Sequence, residues 1–255
     1  MDLGLKDRRA LVGGGGSGIG GGIATALAGE GARVALIGRS KDRIEAEARR
    51  LGGVPVVADL SVPDGPGAAV EAAVRALGGL DLLVVNTGGP PGGTFETLGE
   101  AEWETAIAGT LQSVLRLLRA ALPVLREGRD PAILIVLSSS VREPIPALTT
   151  SNVLRPGLAG LIKSLTAEIA PIRINGLAPG RIATDRIAFL DGKRAQAAGI
   201  SIEEVARRSR ATIPLGRYGE VAEIGRVGAF LLSPAASFVT GAIVPVDGGM
   251  IRALP

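Results

Sequence analysis

The chain has 255 residues, 46% of them apolar, and a formal net charge of +3. It contains neither cysteine nor histidine, which excludes disulfides, thiolate nucleophiles and imidazole bases and removes the commonest metal ligands. No apolar run reaches the roughly 18 residues of a membrane span, and the many arginines form no basic stripe with aromatic platforms. These features predict a cytoplasmic protein with no metal site and no membrane or nucleic-acid partner.

Runs of β-branched residues and leucine alternate with Ala/Leu/Arg-rich stretches along the whole chain. The predicted strands are residues 9–12, 33–37, 54–58, 80–85, 132–137, 172–177 and 242–246. The predicted helices are residues 19–30, 41–51, 68–77, 102–125, 156–169 and 221–232, and a charged helical pattern spans 187–212. The strands are unbroken apolar runs, which indicates a parallel sheet buried on both faces by helices. The alternation favours one doubly wound (Rossmann-type) α/β domain over residues 1–255.

The first predicted strand runs into a glycine-rich stretch, residues 13–24, that leads into an apolar helix. Glycines at this crossing let the turn close, let a pyrophosphate approach the backbone and let helix and strand pack tightly. A glycine cluster alone would equally fit a flexible loop, but its place between a strand and a helix favours dinucleotide binding. The candidate residues are Gly14, Ser17, Gly18, Ile19 and Gly20.

The second predicted strand ends in Gly38, Arg39 and Ser40. A chain that binds NAD usually offers a carboxylate at this point to the ribose 2′-hydroxyl. Arg39 could pair instead with a 2′-phosphate, which favours NADP over NAD. The alternative interpretation is a surface arginine at the end of a strand.

Polar residues also follow the third and fourth predicted strands. Asp59 could accept a hydrogen bond from an adenine amino group, and its neighbour Leu60 is also a candidate for contact with the cofactor. Asn86 and Gly88 lie at the end of the fourth strand. Asp and Asn also favour ordinary turns, so both interpretations stay open. Because the carboxyl ends of neighbouring parallel strands meet at one edge of the sheet, contact with the cofactor is favoured.

Together these residues resemble the short-chain dehydrogenase/reductase family over essentially the whole chain. The family's TGxxxGxG pattern is matched from Gly13, where glycine replaces threonine, and its NNAG pattern is matched from Asn86. The segments APGRIATD and VTGAIVPVDGG match the family's proline-glycine segment and its C-terminal strand signature. The resemblance implies a seven-stranded parallel sheet, a nicotinamide cofactor and a homodimer or homotetramer. It also implies that four residues contact the nicotinamide and phosphate end: Pro179, Gly180, Ile182 and Thr184.

The family's catalytic positions carry different residues in this chain. The family uses asparagine, serine, tyrosine and lysine, the last two as YxxxK. Ser138 stands at the serine position, Ser151 at the tyrosine position, Arg155 at the lysine position and Thr110 at the asparagine position. A serine hydroxyl is far less acidic than a phenol, and an arginine stays protonated. We therefore expect Ser138 to orient the substrate oxygen, while Ser151 and Arg155 line the pocket without the usual proton transfer.

Three other places could supply the missing chemistry. Tyr218 is the sole tyrosine, and its position before a helix favours a packing or surface role. Arg142 and Glu143 follow the fifth strand, where a desolvated carboxylate could donate a proton and an arginine could hold an anionic substrate. A solvated loop pair is the simpler interpretation of these two residues. Arg186 begins the region that covers the substrate in the family and could also hold an anion.

The leading hypothesis is an NADP(H)-binding oxidoreductase that acts on a small carbonyl, acyl or alcohol substrate, with 3-oxoacyl reductases as the nearest likeness. A second hypothesis is a non-catalytic protein of the same fold that binds or senses NADP(H). A third is an enzyme of altered chemistry, such as an enoyl reductase or a dehydratase-like relative.

Overall fold

The computed structural model of the protein describes residues 2–253. Within this range, seven parallel strands form one sheet in the order β3-β2-β1-β4-β5-β6-β7. From β1 to β7 the strands are Arg9–Gly13, Arg33–Gly38, Val54–Val57, Leu82–Val85, Ala132–Val136, Arg173–Pro179 and Ile243–Val246. All seven predicted strands are confirmed, each with bounds within about two residues of the prediction.

Helices cover both faces of this sheet. From α1 to α9 they are Gly18–Gly29, Lys41–Leu51, Gly65–Leu77, Glu100–Ala106, Ser113–Arg126, Thr149–Glu168, Asp185–Ala198, Ile202–Ala211 and Val221–Leu232. One apolar layer packs α1, α2 and α9 against the sheet, and the other packs α3, α5 and α6 against its opposite face. The five inner strands are buried on both sides, so their apolar runs need no polar alternation. The edge strands β3 and β7 are partly exposed. The doubly wound α/β architecture is therefore confirmed.

The helix predicted over residues 102–125 is interrupted in its middle. After α4 the backbone widens into a π-helical stretch, Ile107–Gln112, before α5 begins. The hydroxyl of Ser113, the first residue of α5, donates to the Gly109 carbonyl of this stretch at 2.7 Å. Apolar periodicity does not separate a single π-helical turn from the α-helix around it. The interruption of this helix, which contains Thr110, could therefore not be predicted from the apolar pattern.

The helix predicted to start at Pro156 begins seven residues earlier, at Thr149. The prediction placed the proline in the first turn, where its missing N–H is tolerated. Side-chain hydrogen bonds to two loops outside the helix hold the additional turns. The Thr150 hydroxyl donates to a backbone carbonyl of the loop after β4 at 2.7 Å, and the Asn152 amide donates to and accepts from the Ile145 backbone at 2.9 Å. The positions equivalent to YxxxK consequently lie on a formed helix.

The strand order reverses at β1, which lies between β2 and β4. In doubly wound sheets a crevice opens at this switch point, outside the carboxyl ends of the strands. The charged pattern over 187–212 folds into α7 and α8, whose first turns are capped by the hydroxyls of Thr184 and Ser201. Both helices contribute side chains to the crevice.

Candidate active site

A cleft of about 950 Å³ lies at the carboxyl ends of the central strands. Its walls come from the glycine turn after β1, the ends of β4, β5 and β6, the start of α6, and α7 and α8. Many of the predicted cofactor residues line it: Ser17, Gly18, Ile19, Asn86, Pro179, Gly180, Ile182 and Thr184. Three of the predicted catalytic positions also line it: Ser138, Ser151 and Arg155. The fold therefore brings both predicted groups of residues to one volume.

The glycine turn is too tight to accept side chains. Gly14 has a φ of 58°, and a Cβ on it would lie 2.6 Å from the amide nitrogen of Asn86. A Cβ on Gly20 would lie 2.7 Å from the carbonyl oxygen of Gly13. The Asn86 amide donates to that same Gly13 carbonyl at 3.1 Å, which ties the end of β4 to the turn. Gly14 and Gly20 thus support the cleft from beneath rather than lining it.

The first turn of α1 is left open for an anion. Ser17 is the N-cap residue, but its side chain caps no N–H, and the first turn carries no acidic residue. Free N–H groups and the helix dipole make such a helix start a binding site for phosphate. Gly18 has a φ of 54°, and the space where its Cβ would be adjoins the Thr184 side chain at 3.6 Å. These residues fit the pyrophosphate of a dinucleotide.

The residues predicted for the adenosine end lie outside the cleft lining. Arg39, the predicted partner of the 2′-phosphate, is exposed just after β2. Gly88, predicted to contact the cofactor from the end of β4, is exposed as well. Asp59 accepts hydrogen bonds from the Ser61 hydroxyl and N–H at 2.7 and 2.9 Å. These bonds lower the pKa of Asp59, and the charge of Arg39 lowers it further. Asp59 therefore stabilises an ordinary turn, which was the alternative to a role in cofactor binding. Leu60 packs partly against the core. Contact of either residue with a cofactor stays a prediction.

Hydrogen bonds link three serines just beyond the carboxyl end of β5: Ser138, Ser140 and Ser151. The Ser138 hydroxyl accepts from the Ser140 N–H at 3.1 Å, which leaves its own hydrogen free to donate. The Ser140 hydroxyl lies 3.1 Å from the hydroxyl of Ser151, which is 4% exposed. The sequence analysis missed Ser140, although the run of three serines was a signal. Its position, two residues beyond Ser138, turns it towards α6.

Arg155 is a buried cation at the base of the cleft. It is 7% exposed, and one guanidinium nitrogen donates to the Val136 carbonyl at 2.8 Å. Burial lowers the pKa of Arg155 to about 10, and the charge of Arg186 contributes to the same shift. The side chain still carries its charge at neutral pH, so it can stabilise negative charge but does not serve as an acid.

Thr110 does not line the cleft. It is buried in the π-helical stretch, and its hydroxyl has no hydrogen-bond partner among the described residues. A buried hydroxyl without a partner is costly. Its predicted place among the catalytic positions therefore stays a prediction, with no direct contact to the cleft.

The sole tyrosine, Tyr218, makes its hydrogen bonds outside the cleft. The Tyr218 hydroxyl donates to Asp191 of α7 at 2.8 Å, and Arg181 binds the same carboxylate while lying 5.0 Å above the tyrosine ring. Tyr218 does not line the cleft, in agreement with the predicted packing role. Of the loop pair after β5, Glu143 lines the cleft and Arg142 does not.

A doubly wound sheet with a glycine turn at its switch point defines a dinucleotide-binding class of protein. A family model described as enoyl-(acyl carrier protein) reductase matches residues 14–251. The chain belongs to the short-chain dehydrogenase/reductase family. No helix within residues 2–253 is long and apolar enough to cross a membrane. The same range holds no cluster of three or more acidic side chains that could bind a metal ion.

Three relatives illustrate the similarity. A 3-oxoacyl-(acyl-carrier-protein) reductase from Aquifex aeolicus is 30% identical over 98% of this chain and 100% of its own. The structure of L-sorbose reductase from Gluconobacter frateurii, complexed with NADPH and L-sorbose, is 29% identical, covers 100% of both chains and has a TM-score of 0.94. The NADPH-bound short chain oxidoreductase from Pseudomonas aeruginosa PAO1, described as containing an atypical catalytic center, is 31% identical with a TM-score of 0.87 and covers 98% of this chain and 100% of its own.

Proposed function

We propose that this chain is an NADP(H)-dependent oxidoreductase that interconverts a carbonyl and an alcohol on a small molecule. The observation that carries the proposal is the shared cleft, in which the open start of α1, the Ser138 hydroxyl and Arg155 meet. Family membership and two NADPH-bound relatives support the choice of cofactor.

Different residues of the cleft bind different parts of the cofactor. The N–H groups that follow Ser17 bind the pyrophosphate, as the open first turn of α1 allows. Pro179 and Ile182 line the cleft and are assigned to the nicotinamide end, while Thr184 lies beside the glycine turn. Once bound, NADPH supplies the hydride for the carbonyl carbon. The protein residues then position the substrate oxygen and stabilise its charge.

Arg39→Gln is expected to weaken NADPH binding by roughly 10–100-fold and to change NADH binding by less than about twofold. The reason is that a guanidinium paired with the 2′-phosphate makes a charge-assisted bond that NADH cannot use. Fluorescence titration with both cofactors measures the effect. Arg49→Gln removes another exposed charge, on α2, and serves as the matched control. Equal weakening of both cofactors would contradict the preference for NADP.

Proton delivery differs from that of the family. Ser138 donates its O–H to the substrate oxygen, since its hydroxyl accepts from the Ser140 N–H and keeps its own hydrogen available. The Arg155 cation stabilises negative charge as it develops on that oxygen. Ser151 is too weak an acid to replace a phenol. The final proton therefore comes from water, from the ribose hydroxyls of the cofactor or from Glu143, which lines the cleft.

A 3-oxoacyl compound is the nearest likeness for the substrate, since a 3-oxoacyl-(acyl-carrier-protein) reductase covers nearly the whole chain at 30% identity. Reduction of an enoyl group is an alternative within the same cleft, supported by the description of the matching family model. A homodimer or homotetramer, a cytoplasmic location and a single domain over residues 1–255 stay predictions.

Purified protein is expected to oxidise NADPH slowly with at least one member of a panel of aldehydes, ketones and 3-oxoacyl thioesters. Ser138→Ala is expected to lower kcat by about 10²-fold, because it removes one donor to the developing oxyanion. The Kd for NADPH should be unchanged. An absence of turnover with every compound under sensitive detection would defeat the proposal.

A non-catalytic protein that binds or senses NADP(H) is the second candidate. One observation favours it: the chain has one tyrosine, and its hydroxyl donates to Asp191 outside the cleft. Tight NADPH binding without turnover would support this reading. A rate that depends on Ser138 would exclude it.

A further inference from the structure

The cleft has an unusual surplus of positive charge. Its charged lining consists of two acidic residues, Glu143 and Asp185, and several arginines: Arg155, Arg181, Arg186, Arg194 and Arg208. A cofactor-binding crevice needs cations near phosphates, but these arginines lie on α6, α7, α8 and the loop before α7. They line the same cleft as Ser138, and none of them belongs to the glycine turn or to the first turn of α1.

Some of these charges are neutralised within the protein. Arg181 forms an ion pair with Asp191, and Arg208 pairs with Glu204 at 2.6 Å. The Asp185 carboxylate lies 4.0 Å from the guanidinium of Arg43, which offsets part of its negative charge.

Three arginines of the cleft are left over: Arg155, Arg186 and Arg194. Across residues 2–253, no carboxylate lies within 4.0 Å of any of these three guanidinium groups. Glu143 is the remaining acidic side chain of the lining. The cleft therefore keeps a net positive charge.

Among residues 2–253, Arg186 is held in place by a backbone carbonyl and not by an acidic side chain. Its guanidinium donates to the Pro90 carbonyl at 3.0 Å and lies against Gly89, where a Cβ would come within 3.2 Å of two of its nitrogens. The absence of a side chain at Gly89 makes room for it. This partial withdrawal from water lowers the pKa of Arg186. A guanidinium has five N–H donors, so most of its donors remain available.

Arg186 and Arg155 also act on each other. The charge of Arg186 adds to the effect of burial in lowering the pKa of Arg155. Two like charges in a partly desolvated cleft repel each other unless an anion comes between or beside them. The start of α1 is open for the pyrophosphate, and Arg39 is the predicted partner of the 2′-phosphate. Neither Arg155 nor Arg186 is assigned to a phosphate of the cofactor, so both can bind a different anion.

We propose that the substrate is an oxo acid anion, whose carboxylate is bound by Arg186 while its carbonyl oxygen lies between Ser138 and Arg155. The inference rests on the proposed function and narrows its substrate class to free oxo acids, which carry the carboxylate that a 3-oxoacyl thioester lacks. A planar guanidinium binds a carboxylate through two parallel hydrogen bonds, which suits Arg186 better than a diffuse electrostatic role. Arg194, which also lines the cleft from α7, adds to the attraction.

The test compares matched acids and esters. The probes are 2-oxobutanoate, 3-oxobutanoate and 4-oxopentanoate, each with its methyl ester, in NADPH-dependent reduction by the native protein, Arg186→Gln and Arg210→Gln. Arg210 is an exposed arginine of α8 outside the cleft lining, so its replacement is a control for net charge. Native protein should favour the best acid over its ester by roughly 10–100-fold in kcat/KM, as expected for a charge-assisted pair.

Arg186→Gln should remove that preference by raising KM for the acid, with esters and the Kd for NADPH changed by less than about twofold. Arg210→Gln should leave every value unchanged. Calorimetry of each probe with the protein–NADPH complex gives a second readout that does not require turnover. There the acid should bind at least about tenfold more tightly than its ester, and Arg186→Gln should abolish the difference.

Three results would overturn the inference: esters equal to or better than acids in both readouts, no binding of any acid to the NADPH complex, or a loss of NADPH affinity in Arg186→Gln that matches the loss of the acid. The last would assign Arg186 to the cofactor phosphates. Acid binding that depends on Arg186 without any NADPH oxidation would sustain the inferred carboxylate site and defeat only the proposed turnover.

Discussion

Ser151→Tyr combined with Arg155→Lys is expected to raise the rate of NADPH-dependent carbonyl reduction by about 10²–10⁴-fold, the usual contribution of a positioned acid–base group. A phenol has a pKa near 10, and a neighbouring ammonium lowers it, whereas a serine hydroxyl is too weakly acidic for either charge to help. Ser151 lines the cleft from α6, so a phenol there has open volume in front of it. Single-turnover oxidation of NADPH with the best carbonyl of the panel measures the gain.

Ser151→Phe combined with Arg155→Lys supplies the control, since it adds the ring without the hydroxyl. This variant should fold and bind NADPH but show no gain in rate. If the phenylalanine variant matched the tyrosine variant, the gain would come from packing and not from acidity. A tyrosine variant no faster than the native protein, with NADPH binding intact, would show that proton transfer does not limit the native rate.

Gly20→Ala is expected to weaken NADPH binding by roughly 10²-fold. The new Cβ would lie 2.7 Å from the Gly13 carbonyl oxygen and closer still to the carbonyl of Gly14. Both obstacles are backbone atoms, so the glycine turn has to shift, and overpacking of this kind costs about 1–3 kcal/mol. The shift would move the first N–H groups of α1 away from the pyrophosphate. Titration of NADPH fluorescence measures the loss, and circular dichroism confirms that the fold persists.

Gly29→Ala is the matched control on the same helix. A Cβ at Gly29 would meet no atom within 4 Å, and alanine is the better helix former. NADPH affinity should not change, and stability should stay equal or rise slightly. NADPH affinity that survives Gly20→Ala would show that the glycine turn does not set the position of the cofactor.

The strands and the glycine turn could be predicted because each depends on a local physical requirement. Strands buried on both faces need unbroken apolar runs, and the turn after β1 needs residues such as Gly14 that reach a φ of 58°. The start of α6 could not be predicted in the same way. Its first turn is held by Thr150 and Asn152, whose partners lie 59 and seven residues away in the chain.

In the candidate site, too, the features set locally could be predicted, and those set by packing between elements could not. Ser138, Ser151 and Arg155 were placed by their spacing after β5 and lie together in the cleft, as expected. The link through Ser140 and the exclusion of Thr110 from the cleft depend on how α6 and the π-helical stretch pack, which spacing does not encode. The surplus of arginines around Arg186 likewise emerges only when α6 and α7 are brought together.

A crystal structure of the protein with NADPH tests the central claim most directly. The account predicts the pyrophosphate on the N–H groups after Ser17, the nicotinamide ring facing Ser138 and Arg155, and no phenol within about 3 Å of the place for the substrate oxygen. An empty glycine turn with NADPH bound elsewhere, or Tyr218 released from Asp191 and turned into the cleft beside Ser138, would contradict it.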